Sequence, residues 1–111
     1  MAFDATLEVV NGIGKITLSG ELDASVAATL KTRIEEAAAQ NVRRLVLMLD
    51  ALEYMSSAGL RTLVFAKQKM GQKVDIFIVG AQPQVVSPIK DTGFHHSVIM
   101  LDTYDAAKIE A

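Results

Sequence analysis

Chemistry in this chain is concentrated in Asp50-Ala51-Leu52-Glu53-Tyr54-Met55-Ser56-Ser57-Ala58-Gly59-Leu60-Arg61, where two adjacent hydroxyls stand at the start of an amphipathic segment. The first amides of a helix have no intrahelical acceptor and lie at the positive end of its dipole, so an anion placed there is partly compensated. Ser56 has the position of an N-cap, whose side-chain oxygen accepts from an amide two or three residues on. Ser57 then falls in the first turn as the exposed hydroxyl, and the small Ala58 and Gly59 would let another protein's active site come close to it. A purely structural reading uses the same residues: both serines cap, and Ala58-Gly59 lets the helix pack tightly on a sheet. The segment alone leaves both readings open.

Other chemistries find less support. A serine hydrolase would need Ser57 as nucleophile, His95 or His96 as base, and Asp50, Asp91 or Asp102 to complete a triad. Met55-Ser56-Ser57-Ala58-Gly59 lacks the first glycine of Gly-x-Ser-x-Gly, and no spacing brings a histidine to the serine. His95-His96 has no third or fourth ligand at a useful interval, so the pair reads as loop residues after Gly93-Phe94 and no metal is expected. Asn11-Gly12-Ile13-Gly14 lacks the lysine and spacing of a phosphate-binding loop, and no intrinsic ATPase or bound cofactor is expected. With no cysteine there is neither a disulfide framework nor a thiol nucleophile. A formal charge of -2 gives no pull toward nucleic acid or an anionic bilayer. Met1-Ala2-Phe3-Asp4 does not begin a signal peptide, and no apolar run has the length of a membrane span, so a soluble cytoplasmic protein is expected.

The elements that must position the serines follow from periodicity. Half of the residues are hydrophobic and 22% charged, enough to bury a core, and 1–111 reads as one domain. Thr6–Val10 and Gly14–Gly20 alternate around Asn11-Gly12 and predict a β-hairpin. Val26, Ala27, Leu30, Ile34, Ala37 and Ala38 recur at helical spacing, giving a helix from about Ala24 to Gln40. The continuous run Leu45–Leu49 suits a central strand covered on both faces. A short loop then leads to the helix opened by Ser56-Ser57, with Leu60, Leu63 and Val64 inward and an end near Met70-Gly71. Val74–Val79 supplies another strand. Gln82-Pro83 can start a third helix, but Pro88 implies either a kink or a later start with Ser87 as cap. Val98–Met100 reads as a last strand, and Asp102 or Thr103 as the cap of a terminal helix. The order β-β-α-β-α-β-α-β-α predicts an α/β fold: a mixed sheet of four to five strands with about four helices.

The run Tyr54-Met55-Ser56-Ser57-Ala58-Gly59-Leu60 resembles the phosphorylation loop of STAS-domain anti-sigma factor antagonists, and Gly20-Glu21-Leu22-Asp23 resembles that family's motif at the end of its second strand. The resemblance extends over nearly the whole chain in length and element order and implies the STAS fold. Aligning on Gly59 and Leu60 puts the family's phosphoacceptor on Ser57, with Ser56 the second choice. Ser56 stands where family members often carry Asp, which removes one negative charge beside the site.

What the resemblance implies is a partner switch rather than an enzyme. The dephosphorylated protein binds an anti-sigma factor that is also a serine kinase of GHKL type and frees its client. Phosphorylation ends the binding, and a PP2C-type phosphatase restores it. The implied contact surface is Glu21, Asp23, Ser56, Ser57, Ala58, Gly59 and Arg61. Each has a structural counterpart: Asp23 as cap of the first helix, Glu21 as a solvated strand-end charge, Arg61 and Lys67 as a solvated helix face. A scaffold or nucleotide-binding subunit without a sigma factor client is the alternative on the same fold.

Overall fold

The computed structural model describes residues 2–111. Its elements are β1 (Asp4–Val10), β2 (Ile13–Leu22), α1 (Ala27–Ala39), β3 (Arg44–Met55), α2 (Ser57–Met70), β4 (Asp75–Val79), α3 (Pro83–Asp91), a 3-10 turn at Phe94–His96, β5 (Ile99–Leu101) and α4 (Ala106–Ile109). The hairpin forms as its sequence predicts: Val10 pairs with Ile13, and the intervening Asn11 and Gly12 take φ of 53° and 77°. The five strands lie in the order β1-β2-β3-β4-β5, with β1 antiparallel to β2 and every later pair parallel.

That monotonic order decides the layering. Parallel neighbours need crossovers, crossovers are right-handed, and successive right-handed crossovers in one direction put their helices on one face of the sheet. The burial pattern agrees. Leu45, Leu47 and Leu49 of β3 and Ile76 and Ile78 of β4 join Leu30 and Ile34 of α1, Leu60 and Leu63 of α2, and Val85 and Ile89 of α3 in the main core. The alternate residues Val46, Phe77 and Val79 turn to the other face, where Ile109 of α4 and Tyr104 cover them. Both faces of β3 are thus apolar, the reason its sequence reads as a continuous run. On the outer side of β1, Arg33 Nε donates to the Ala5 carbonyl at 3.1 Å while Nη1 of the same side chain pairs with Glu36 at 2.7 Å.

Several boundaries differ from the sequence reading. No loop separates β3 from the second helix, because β2 continues to Leu22 and pairs with β3 as far as Met55, with register shifts on the way. The first helix starts at Ala27, not Ala24, and its N-cap Val26 makes no side-chain cap bond. Asp23 closes a turn ahead of it instead: its Oδ1 accepts from the Ser25 amide at 2.9 Å and from the Ser25 hydroxyl, which hold the Asp23 carboxyl below the ordinary carboxylate range. The third helix begins at Pro83 with Gln82 as N-cap and carries Pro88 inside it, which forgoes the hydrogen bond to the exposed Gln84. Asp105, rather than Asp102 or Thr103, caps α4, its Oδ1 accepting from Ala107 N at 3.0 Å and Lys108 N at 3.3 Å.

Tyr104 clamps α4 over the outer face. Its hydroxyl donates to Glu110 Oε2 at 2.6 Å, and Lys15 Nζ sits 4.7 Å from its ring centroid. The hydrogen bond to the Glu110 carboxylate pushes the phenol up to about 12. An unfolded chain releases that proton near pH 10, so the contribution to stability is complete below pH 10 and lost as pH rises to about 12. Chemical denaturation of wild type across this alkaline range should show the decline, and Tyr104→Phe should remove that part of it.

Candidate functional site

The end of β2 and the start of α2 are locked together through Leu22. The Ser56 amide donates to the Leu22 carbonyl at 2.8 Å, continuing the ladder one residue past Met55. Ser56 is extended (φ -82°, ψ 173°) and is the N-cap: its Oγ accepts from Gly59 N at 3.2 Å, and its carbonyl accepts from Leu60 N at 3.0 Å. Gly59 is required by proximity, since a Cβ there would lie 2.7 Å from Leu22 Cγ and 3.0 Å from the Leu22 carbonyl oxygen. The two alternatives for the serines therefore separate. Ser56 is engaged at its amide, carbonyl and hydroxyl, while Ser57 is the first residue of α2 and is exposed.

The surroundings of Ser57 can hold an anion and also resist one. Its amide and that of Ala58 belong to the helix-start donors without intrahelical acceptors, and no acidic residue occupies the first turn. Arg61 is exposed one turn on, at the i,i+4 spacing that puts two side chains on one face. Lys67 lies about 15 Å from Ser57 along the helix axis and does not join this group. On the opposite side, pairing of β2 with β3 sets Glu21 beside Tyr54 and Leu22 beside Met55, so Glu21 and then Asp23 emerge at the same end of the sheet. Glu21, Asp23, Ser56, Ser57, Ala58, Gly59 and Arg61 thus gather around one strand-to-helix junction. Ala58 is half-buried and Gly59 buried, which leaves the first turn low in profile.

Tyr54 was not among the residues singled out by sequence, yet it is 48% exposed and lies three residues before Ser57. Alternation would have turned it inward with Leu52; the register shift between Leu52 and Tyr54 breaks the period, so Leu52 and Met55 are buried while Glu53 and Tyr54 face solvent. A large amphipathic aromatic left on the surface beside such a junction is the type of residue that anchors protein interfaces.

The triad does not assemble. His95 and His96 stand in the turn between the end of α3 and the start of β5, at the amino end of the parallel strands, whereas α2 begins at their carboxyl end. The two rings contact one another, 3.9 Å between centroids, and leave Ser57 without a base. Among the described residues no group of three or more His, Cys, Asp or Glu is arranged to hold a metal, and no helix is long and apolar enough to cross a membrane.

An α/β sheet with its three crossover helices on one face and a low, hydroxyl-bearing strand-to-helix junction defines a small docking domain, and comparison with known proteins gives it a family. The STAS domain model matches residues 4–107, and the chain belongs to that family. It is 32% identical over 93 residues to the anti-sigma-F factor antagonist RsfB of Mycobacterium tuberculosis, covering 84% of this chain and 76% of that protein. A second relative is the putative anti-sigma factor antagonist BtrV of Bordetella bronchiseptica, 30% identical over 90 residues, with 80% and 78% covered. In structure it is similar to an anti-sigma factor antagonist from Mycobacterium paratuberculosis, with a TM-score of 0.90 at 26% identity over 99% of this chain and 96% of that one. The phosphorylated form of the Bacillus cell fate determinant SpoIIAA shares the fold, with a TM-score of 0.71 at 17% identity over 98% and 97% of the chains.

The Leu22 contact gives a direct test. In Gly59→Ala the new methyl meets a branch carbon and a backbone oxygen, neither of which can swing away. Overpacking of this kind costs about 1–3 kcal/mol, against about 1 kcal/mol gained in helix propensity. Urea unfolding should give a lower midpoint than wild type.

Proposed function

We propose that this protein is an anti-sigma factor antagonist that works as a phosphorylation-controlled partner switch, with Ser57 as phosphoacceptor. The dephosphorylated form binds an anti-sigma factor that is itself a GHKL-type serine kinase and so frees the client. Phosphate on Ser57 ends the binding, and a PP2C-type phosphatase reverses it, all in the cytoplasm. The observation that carries this reading is the division of labour between the serines: Ser56 is consumed in building the turn, and Ser57 is left facing solvent at the first helical position. The antagonist relatives of at least 30% identity support it.

Release follows from charge and size. A phosphoserine carries about -1.5 to -2 charges and three acceptor oxygens. Placed in a contact fitted around Ala58 and Gly59, it must be desolvated beside Glu21 and Asp23, and the cost falls on the complex, not on the free protein. In the free protein the helix amides and Arg61 compensate the phosphate. The domain therefore changes partner without refolding, and its own role is to bind rather than to catalyse.

Incubation with ATP and the cognate anti-sigma factor kinase should transfer phosphate to wild type and to Ser56→Ala. The latter should be less stable by about 1 kcal/mol through loss of the cap. Ser57→Ala should take no phosphate and stay bound. In calorimetry, Ser57→Asp should bind the kinase at least about tenfold more weakly. Labelling of Ser57→Ala with none of Ser56→Ala would move the acceptor to Ser56; unchanged affinity of Ser57→Asp would remove charge as the cause of release.

A further inference from the structure

The last part of β3 outruns its neighbour on one side. Pairing with β4 spans only Arg44 to Met48, whereas β2 accompanies β3 to Met55. From Asp50 onward the β4-facing edge of β3 has no strand beside it, although this stretch leads straight into Ser56 and Ser57. The ladder on the other edge is itself interrupted, with register shifts between Thr17 and Ser19 and between Gly20 and Glu21. A segment bonded on one side through a broken ladder is prone to open locally.

Two side chains occupy the empty edge. Gln82 Nε2 donates to the Asp50 carbonyl at 2.9 Å, and Gln84 Nε2 donates to the Glu53 carbonyl at 3.0 Å. Gln84 Nε2 also donates to Gln82 Oε1 at 2.9 Å, so the two amides form one unit. They project from a fixed base. The Gln82 carbonyl accepts from Val85 N at 2.8 Å and Val86 N at 2.9 Å, and α3 is held down by the buried Val85 and Ile89. The chain reaches this position past Gly80, where a Cβ would overlap the Asp50 carboxylate.

We propose that Gln82 and Gln84 are positioning residues for the phosphoacceptor: their amides replace the missing strand along the end of β3 and keep the Ser56-Ser57 turn seated on Leu22. The inference uses the reading of Ser57 as phosphoacceptor only for its second readout. It ties the rate of modification to α3, an element that supplies no residue to the junction itself.

The test replaces both glutamines by methionine, which keeps the length of the side chain and removes the donors. Residue-resolved amide exchange on the intact protein should show the Ser56 amide exchanging about tenfold faster, with the amides of Leu47 and Ile78 unchanged. A Gln84→Lys variant, which still offers a donor to Glu53, should stay close to wild type. With the cognate kinase and ATP, the methionine variant should be phosphorylated more slowly and the lysine variant at nearly the normal rate. Unchanged exchange at Ser56 overturns the proposal, as does a uniform acceleration that includes Leu47 and Ile78. Faster exchange at Ser56 in a protein whose wild type accepts no phosphate upholds the clamp and removes the phosphoacceptor reading.

Discussion

The contact on which the site depends is the one between Leu22 and the first turn of α2. One residue gives its carbonyl to the Ser56 amide and its side chain to the space a Cβ on Gly59 would fill. Through that contact the end of β2 and the start of α2 become one rigid corner. Glu21 and Asp23 arrive beside Ser57 because Leu22 lies between them. A helix displaced by the volume of a methyl group would separate the acidic strand end from the hydroxyl, and a charge added there would be repelled less strongly.

The arrangement also divides stability from signalling. The large apolar side chains are used between the sheet and α1, α2 and α3, and Ile109 and Tyr104 close the opposite face. The junction draws on this core through Leu22, Met55 and Leu60, all buried, while Tyr54, Ser57 and Arg61 alternate with them toward solvent. Charge added at Ser57 consequently touches no core residue. The proposed switch therefore requires no change in the domain's own fold.

Much of this was readable in the residues, and the failures have physical causes. The hairpin, the central strand and the helix after Ser56 follow from local patterns: a turn dipeptide, an unbroken apolar run and a 3.6-residue period. The continuation of β3 through Asp50–Met55 was not readable as strand, because Asp50, Glu53 and Tyr54 break the apolar run and only the partner strand β2 holds them extended. Asp23 looks like a helix cap by type and place; Ser25 offers it a nearer pair of donors, and the helix starts later. At the site, the cap logic of Ser56 pointed to Ser57 as the exposed hydroxyl, and only the family resemblance gave that hydroxyl its proposed role. Sequence reasoning passed over Tyr54, whose exposure is fixed by pairing, and over Gln82 and Gln84, whose partners are carbonyls about 31–32 residues away.

An open sheet has two margins, and either can recruit a copy of itself. On the β1 margin Arg33 spans from α1 to the Ala5 carbonyl, putting a charged group across the line where a further strand would pair. Self-association along that edge has to displace a cation already bound at both ends, to Ala5 and to Glu36. On that margin the domain is thereby guarded against homotypic stacking.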